Sequence, residues 1–168
     1  MSDNAKRLRT IKKELTTLFP GNLRGNVARH FNTLLFLVSG IIGSKNVQLP
    51  EVASKVPNGT KLSSREKKLV RWVKNERIEM TEYFLPFAQL LLAQLSNAPL
   101  VIAIDGSTLG RGCIALMANI IFRGRALPIT WIVVKGKKGH LPEELHIHLM
   151  EQIRVLIHDE ARVVILGD

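Results

Sequence analysis

The sequence predicts an N-terminal domain of α-helices followed by a mixed α/β domain, whose four strands have the order 3-2-1-4. Three observations predict this fold. Residues 1–97 carry apolar side chains at helical spacing, whereas residues 98–168 contain two short runs that are apolar throughout. The charge balance changes at the same point. The predicted domains are therefore residues 1–97 and residues 98–168.

The excess positive charge lies almost entirely in the first domain. The 168 residues include 24 Lys and Arg against 14 Asp and Glu, a formal net charge of +10. Residues 1–97 have 16 basic and 7 acidic residues, a net charge of +9, whereas residues 98–168 have 8 and 7. Such an excess usually accompanies binding to a polyanion, most often nucleic acid or an anionic membrane. The single cysteine, Cys113, excludes an internal disulfide and a Cys-rich zinc site.

The apolar runs predict no membrane span. The run at residues 33–42 is too short to cross a bilayer. The longer stretch at residues 84–104 contains Pro86, Pro99 and several amide side chains. The N-terminus is basic at residues 6–13 and lacks the apolar core of a secretory signal. We therefore expect a cytoplasmic protein that makes no membrane contact.

Apolar residues at spacings of three and four predict five helices in the first domain. They are expected over residues 8–18, 27–42 and 50–56, from Ser63 onward, and over residues 80–95. Ser63 and Glu66 have the spacing of a capping box at the start of the fourth helix. Pro86 is expected to kink the fifth helix.

Four strands and one helix are predicted in the second domain. The strands are expected over residues 100–104, 114–122, 126–134 and 163–166. The first and fourth are apolar throughout, which is typical of strands buried on both faces. Arg123-Gly124-Arg125 predicts a tight hairpin between the second and third strands, and Pro128 indicates that the third is an edge strand. A helix from Pro142 to about Ile157 precedes the fourth strand.

Two aspartates follow the two apolar strands. Asp105 is expected to end the first strand and Asp168 the fourth. A crossover through the helix makes these strands parallel neighbours, roughly 4.8 Å apart, so both carboxylates leave the sheet at one edge. Two anions there repel each other, and Mg²⁺ or Mn²⁺ removes the conflict. We therefore expect Asp105 and Asp168 to bind metal for phosphoryl transfer; the alternative is that each only forms a turn or caps a helix.

The fourth helix has a basic side opposite an apolar one. Its basic residues are Lys67, Lys68, Arg71 and Lys74. The short third helix and the turn before it give an arrangement like a helix-turn-helix. We expect the basic side to contact DNA phosphates. The alternative is a solvated amphipathic face.

Four segments, taken in order and spacing, resemble one protein family. They are LVIAIDGST at residues 100–108, FRGRALPITW at 122–131, GHLPEE at 139–144 and VVILGD at 163–168. They resemble DDE transposases of bacterial insertion sequences, in the branch that cuts and pastes DNA through hairpin ends. The resemblance covers about residues 30–168, including the basic helix. It implies a catalytic domain with an RNase H-like fold behind a helical DNA-binding domain.

The resemblance assigns the family's first two catalytic aspartates to Asp105 and Asp168, which would bind Mg²⁺ or Mn²⁺ when the enzyme cuts and joins DNA. It implies that the partner is double-stranded DNA at the element's terminal inverted repeats, bound by a homodimer in a synaptic complex within the bacterial nucleoid. The sequence departs from the family by having Gly106 where many relatives have Arg.

The sequence also stops at Asp168, before the family's last sheet strand and its catalytic Glu. We therefore expect an incomplete RNase H-like domain, in a truncated transposase or the first part of a split one, that is inactive alone. One alternative is a non-catalytic DNA-binding regulator or inhibitor of transposition. Another is a different RNase H-like nuclease, such as a junction resolvase.

Overall fold

The computed structural model describes residues 2–19, 21–136 and 141–167. The chain divides into two compact units, Met1–Tyr83 and Phe84–Asp168. The helices of the first unit are α1 (Asp3–Leu18), α2 (Gly25–Ser44), α3 (Leu49–Ser54), α4 (Leu62–Val73) and α5 (Met80–Tyr83). The second unit contains α6 (Leu85–Leu95), β1 (Leu100–Gly110), β2 (Cys113–Phe122), β3 (Arg125–Lys135), α7 (Glu143–Leu156) and β4 (Val163–Gly167).

Helix α2 is central to the first unit, because α1, α3 and α4 all pack against it. Its buried residues include Phe31, Leu35 and Leu37. Leu37 shares a core cluster with Val52 of α3 and Leu69 of α4. Among the described helices, α2 is also the one that is long and apolar enough to span a membrane by length and composition, with 33% of its most apolar window buried inside the protein.

The capping box predicted at the start of α4 is wrong. The helix begins at Leu62, one residue earlier than expected, so Lys61 is its N-cap residue and Ser63 lies inside the first turn. None of the described side chains caps this end. The first turn is instead tied to the residues after α3, because the Arg65 guanidinium donates a hydrogen bond to the carbonyl oxygen of Val56.

The predicted fifth helix is two helices. Phe84 separates α5 from α6 with a non-helical backbone, φ −127° and ψ −52°. Pro86 lies in the first turn of α6, where its missing N–H costs nothing and its ring is tolerated. The predicted helix is therefore interrupted at Phe84, and Pro86 lies at the start of a new helix instead of kinking a continuous one.

The second unit contains the predicted sheet. Its strand order is β3-β2-β1-β4, with β1 parallel to β4 and the other two pairs antiparallel. The hairpin between β2 and β3 turns through Arg123 and Gly124, both at positive φ, as expected for this tight turn. The predicted order and the mixed pairing are therefore confirmed.

Pro128 lies on the edge strand β3, as expected. The β2–β3 register shifts there, because Ala118 pairs with Thr130 while Asn119 pairs with Pro128. Ile129 is the extra residue of this bulge, and its side chain is fully buried. The bulge therefore accommodates the missing proline N–H and places an apolar side chain in the core.

The prediction that the fourth strand is buried on both faces is wrong. β4 is an edge strand, and no described strand pairs with its outer side. Val164, Ile165 and Leu166 are each more than a third exposed. An unbroken apolar run therefore indicates a strand that has little polar surface, but it does not establish that both faces are covered.

Helix α6 belongs with the sheet and not with the other helices. Its Ala88 and Leu92 join the core cluster formed by the sheet and α7, which includes Ile102, Ile120 and Leu149. The division between the units therefore falls after Tyr83, whereas the charge pattern placed it after Asn97. Helix α6 carries no charged residue, which is typical of a helix that packs against other apolar elements.

Candidate functional site

Asp105 lies within β1 and not at its end. β1 continues to Gly110, and Asp105 pairs with Met117 of β2 in an antiparallel ladder that extends to Thr108. The prediction that Asp105 ends the strand is wrong, because the long pairing with β2 holds residues 105–108 in an extended backbone. The turn that this segment resembled in sequence therefore does not form.

The pairing of β1 with β4 does end immediately before Asp105. The parallel register runs from Leu100 opposite Val163 to Ile104 opposite Gly167. The prediction that the first and fourth strands are parallel neighbours is therefore confirmed. Asp105 is the first residue of β1 after the last residue that pairs with β4. Asp168, which follows Gly167 in the sequence, lies outside the described residues.

The side chain of Asp105 is exposed on the face of the sheet opposite the core. Ile102 and Ile104 belong to the core packed against α7, and side chains alternate along a strand, so Asp105 and Ser107 share the other face. The Ser107 hydroxyl donates a hydrogen bond to Asp105 Oδ2 over 3.4 Å. This face therefore presents a carboxylate and a hydroxyl next to the end of β4.

These oxygen donors suit a hard cation that keeps most of its water. Within residues 2–19, 21–136 and 141–167, no group of three or more His, Cys, Asp or Glu side chains could hold a metal. Mg²⁺ characteristically binds through one or two carboxylates and retains several waters. The exposed Asp105 fits that mode of binding, and it does not fit a closed metal cage.

The predicted basic side of α4 is exposed to solvent because its opposite side is buried. Leu69 is buried in the core of the first unit. Lys67, Arg71 and Lys74 are exposed, whereas Lys68 is half-buried, with its ammonium 4.8 Å from the centre of the Phe36 ring. The four predicted residues therefore divide into an exposed set and one lysine held against α2.

A groove of about 430 Å³ lies between α2 and α4. Lys68, Arg71 and Asn75 line it from α4 and the residues after that helix, and Arg29, Asn26 and Asn32 line it from α2. The sequence prediction missed the three α2 residues. Their signal was a polar stripe at spacings of three on an otherwise apolar helix, but a single helix does not show which neighbour that stripe meets.

Hydrogen bonds hold the two walls of this groove together. Trp72 Nε1 donates to the carbonyl oxygen of His30 over 2.9 Å, which links α4 to α2. The Tyr83 hydroxyl lies 3.3 Å from His30 Nδ1. Burial, assisted by the neighbouring Glu82, raises the pKa of Tyr83 to about 12. Tyr83 therefore stays protonated across the physiological range and can donate to His30.

Comparisons with family models, with curated proteins and with solved structures gave no match to this chain. The two candidate sites are therefore defined by the residues of this chain alone.

Proposed function

We propose that this chain acts in DNA transposition of the DDE type. The helical unit binds double-stranded DNA at the ends of a mobile element, and the α/β unit carries two aspartates for metal-dependent phosphoryl transfer. The observation that carries the proposal is the parallel pairing of β1 with β4. Its register stops at Ile104 and Gly167, the residues that precede Asp105 and Asp168 in the sequence.

The order of elements supports an RNase H-like identity for the α/β unit. Three antiparallel strands are followed by a helix and a fourth strand that pairs with the first. A strand–helix–strand crossover of this kind brings the carboxyl ends of β1 and β4 to one side of the sheet. Acidic side chains that follow the last β1–β4 pair, Asp105 within β1 and Asp168 after β4, would then be suitably placed to share a cation.

Asp105 and Asp168 would hold Mg²⁺ or Mn²⁺, with the Ser107 hydroxyl hydrogen-bonded to the first carboxylate. A bound ion of this type stabilises negative charge on a phosphoryl group and lowers the pKa of a coordinated water. The protein's own contribution is to fix Asp105 on a paired strand, so that its backbone needs no rearrangement to receive the ion. Retained waters leave positions that phosphate oxygens can occupy.

The charge of the helical unit supports DNA as the partner. Most of the net charge of +10 comes from residues 1–97. Lys67, Lys68, Arg71 and Lys74 concentrate it on α4, where exposed cations can replace the counterions of a DNA duplex. We propose that a homodimer holds two element ends together, since transposition joins both ends to one target.

The experiment uses the DNA that flanks the coding sequence as the probe. Fluorescence anisotropy compares labelled duplexes of each flank with duplexes of the same composition in shuffled order, at one fixed salt concentration. Specific protein–DNA complexes are typically at least ~10³-fold tighter than non-specific ones. We expect flanking duplexes to bind at least tenfold more tightly, and equal affinities would contradict recognition of element ends. A four-way junction of the same strand length serves as a third probe, and tighter binding to it than to either linear duplex would instead favour a junction nuclease.

A further inference from the structure

We propose that the groove between α2 and α4 binds the sugar–phosphate backbone of duplex DNA. The inference rests on the proposed function and deepens it, because it assigns binding to a surface built from two helices and not to the basic side of α4 alone. Arg29 of α2 joins Lys68 and Arg71 of α4 as its cationic residues. The amides of Asn26, Asn32 and Asn75 complete its polar lining.

The charges in the groove all have one sign. Arg29, Lys68 and Arg71 line it, and among the described residues no Asp or Glu does. Lysine and arginine side chains that line one groove repel one another, and a polyanion relieves that repulsion. The groove therefore selects an anion, and three cations on two helices match several successive phosphates better than they match one small ion.

The groove is organised before any ligand binds. The Trp72 indole donates to the carbonyl oxygen of His30 over 2.9 Å, so the facing helices are linked at the groove itself. Lys68 is half-buried, and its ammonium lies 4.8 Å from the centre of the Phe36 ring, which restricts the directions its side chain can take. A pre-formed wall and a restricted lysine reduce the entropy lost when the backbone of a duplex binds.

The amides add neutral hydrogen-bonding groups to the cations of the groove. Asn26 is exposed, and Asn32 and Asn75 are half-buried in the groove. An asparagine amide donates to phosphate oxygens and also accepts hydrogen bonds, and amides are regular contacts of the DNA backbone. Buried Thr33 does not contribute a donor, because its hydroxyl donates to the carbonyl oxygen of Arg29 over 3.0 Å.

The chain offers a matched control within the same helical unit. Lys12 and Lys13 are exposed on α1 and do not line the groove. A groove variant with Arg29→Gln and Lys68→Gln removes two positive charges, and a control variant with Lys12→Gln and Lys13→Gln removes the same number. Their comparison separates binding in the groove from the general attraction of a basic protein for DNA.

The experiment measures binding of a labelled duplex of arbitrary sequence by anisotropy between ~50 and ~200 mM salt. The slope of log K against log salt is negative, and each lost phosphate contact makes it shallower by roughly 0.9. We expect the groove variant to bind at least tenfold more weakly at the lower salt. Its salt dependence should be shallower by an amount that corresponds to nearly two phosphate contacts. The control variant should lose less than threefold, with a slope close to that of the wild type.

Two further variants cover a failure of folding. The charge-preserving change Arg29→Lys with Lys68→Arg should keep the wild-type slope, and Asn75→Ala should weaken binding several-fold without changing the slope. Circular dichroism establishes that each variant retains its helices. An equal loss in the groove and control variants, or no loss in the groove variant, would overturn the inference while leaving DNA binding intact. A wild-type chain that binds no duplex would overturn the proposed function as well.

Discussion

Gly40 is the position where the packing of the helical unit can be tested most sharply. It lies on α2 where α3 approaches, and a Cβ added there would lie 2.5 Å from Val52 Cγ1 and 2.7 Å from the Val52 carbonyl oxygen. Val52 is fully buried, so the side chain has no free space to enter. The backbone of α3 must therefore move when Gly40 is replaced by Ala.

The expected magnitude is the difference between two opposing effects. Overpacking a core typically costs about 1–3 kcal/mol. Replacing Gly by Ala inside a helix gains up to about 1 kcal/mol. Because one of the two contacts is with backbone, we expect the packing cost to exceed the gain, so that Gly40→Ala lowers the free energy of unfolding by about 1–2 kcal/mol.

Gly43 provides the matched control on the same helix. A Cβ there would meet the guanidinium of Arg7, the far end of a flexible side chain. Arg7 can move aside, at the cost of its hydrogen bonds to the Ser39 carbonyl oxygen and the Asn4 side chain. Those lost bonds offset the helical gain, so Gly43→Ala should leave the free energy of unfolding within about 1 kcal/mol of the wild type.

Urea denaturation followed by tryptophan fluorescence measures both variants. The chain has two tryptophans, and a Trp131→Phe background leaves Trp72 as the reporter of the helical unit. The helical gain is common to both variants, so the difference between them is the packing cost at Gly40 less the cost of the Arg7 hydrogen bonds lost in Gly43→Ala. Equal stability of the Gly40→Ala and Gly43→Ala variants would refute the close approach of α2 and α3.

Two other predictions concern pH and the core of the sheet. The pKa of Tyr83 is raised from 10.0 to about 12, so the contribution of this side chain to stability should be constant below pH 10 and should be lost as the pH rises toward 12, a fall of up to about 2–3 kcal/mol since each pKa unit is worth roughly 1.4 kcal/mol. Urea titrations across that range should show a smaller fall in Tyr83→Phe, and an identical fall would contradict the prediction. Leu149 is fully buried between α7 and the sheet, so Leu149→Ala should cost about 2–5 kcal/mol in thermal denaturation. Val155→Ala, at a side chain 73% exposed on the same helix, should cost less than about 0.5 kcal/mol, and equal losses would contradict the packing of α7.

The sheet order was predictable because its signals are local. The hairpin at Arg123-Gly124 joins β2 to β3, and the position of Pro128 restricts β3 to an edge. A helix between β1 and β4 leaves a parallel pairing as the simple solution. Each of these features depends on the backbone requirements of a few residues, and such requirements can be read directly from a sequence.

The features that the sequence did not predict depend on contacts between distant segments. Asp105 has a turn-forming neighbourhood, yet pairing with Met117 keeps it in an extended strand. The groove between α2 and α4 depends on the contact of Trp72 with His30, residues separated by 42 positions. A helical wheel correctly orients α4, but it contains no information about which residues of α2 face it.

The central claim is that Asp105 and Asp168 share a divalent cation. Titration with Mn²⁺, followed by the loss of the electron paramagnetic resonance signal of the free ion, measures this binding, and added Mg²⁺ tests competition. Asp159→Asn is the control, because Asp159 is an exposed acid in the segment that precedes β4. We predict that Asp105→Asn and Asp168→Asn each weaken Mn²⁺ binding at least tenfold while Asp159→Asn leaves it unchanged. Equal Mn²⁺ binding by the wild type and all three variants would contradict the claim.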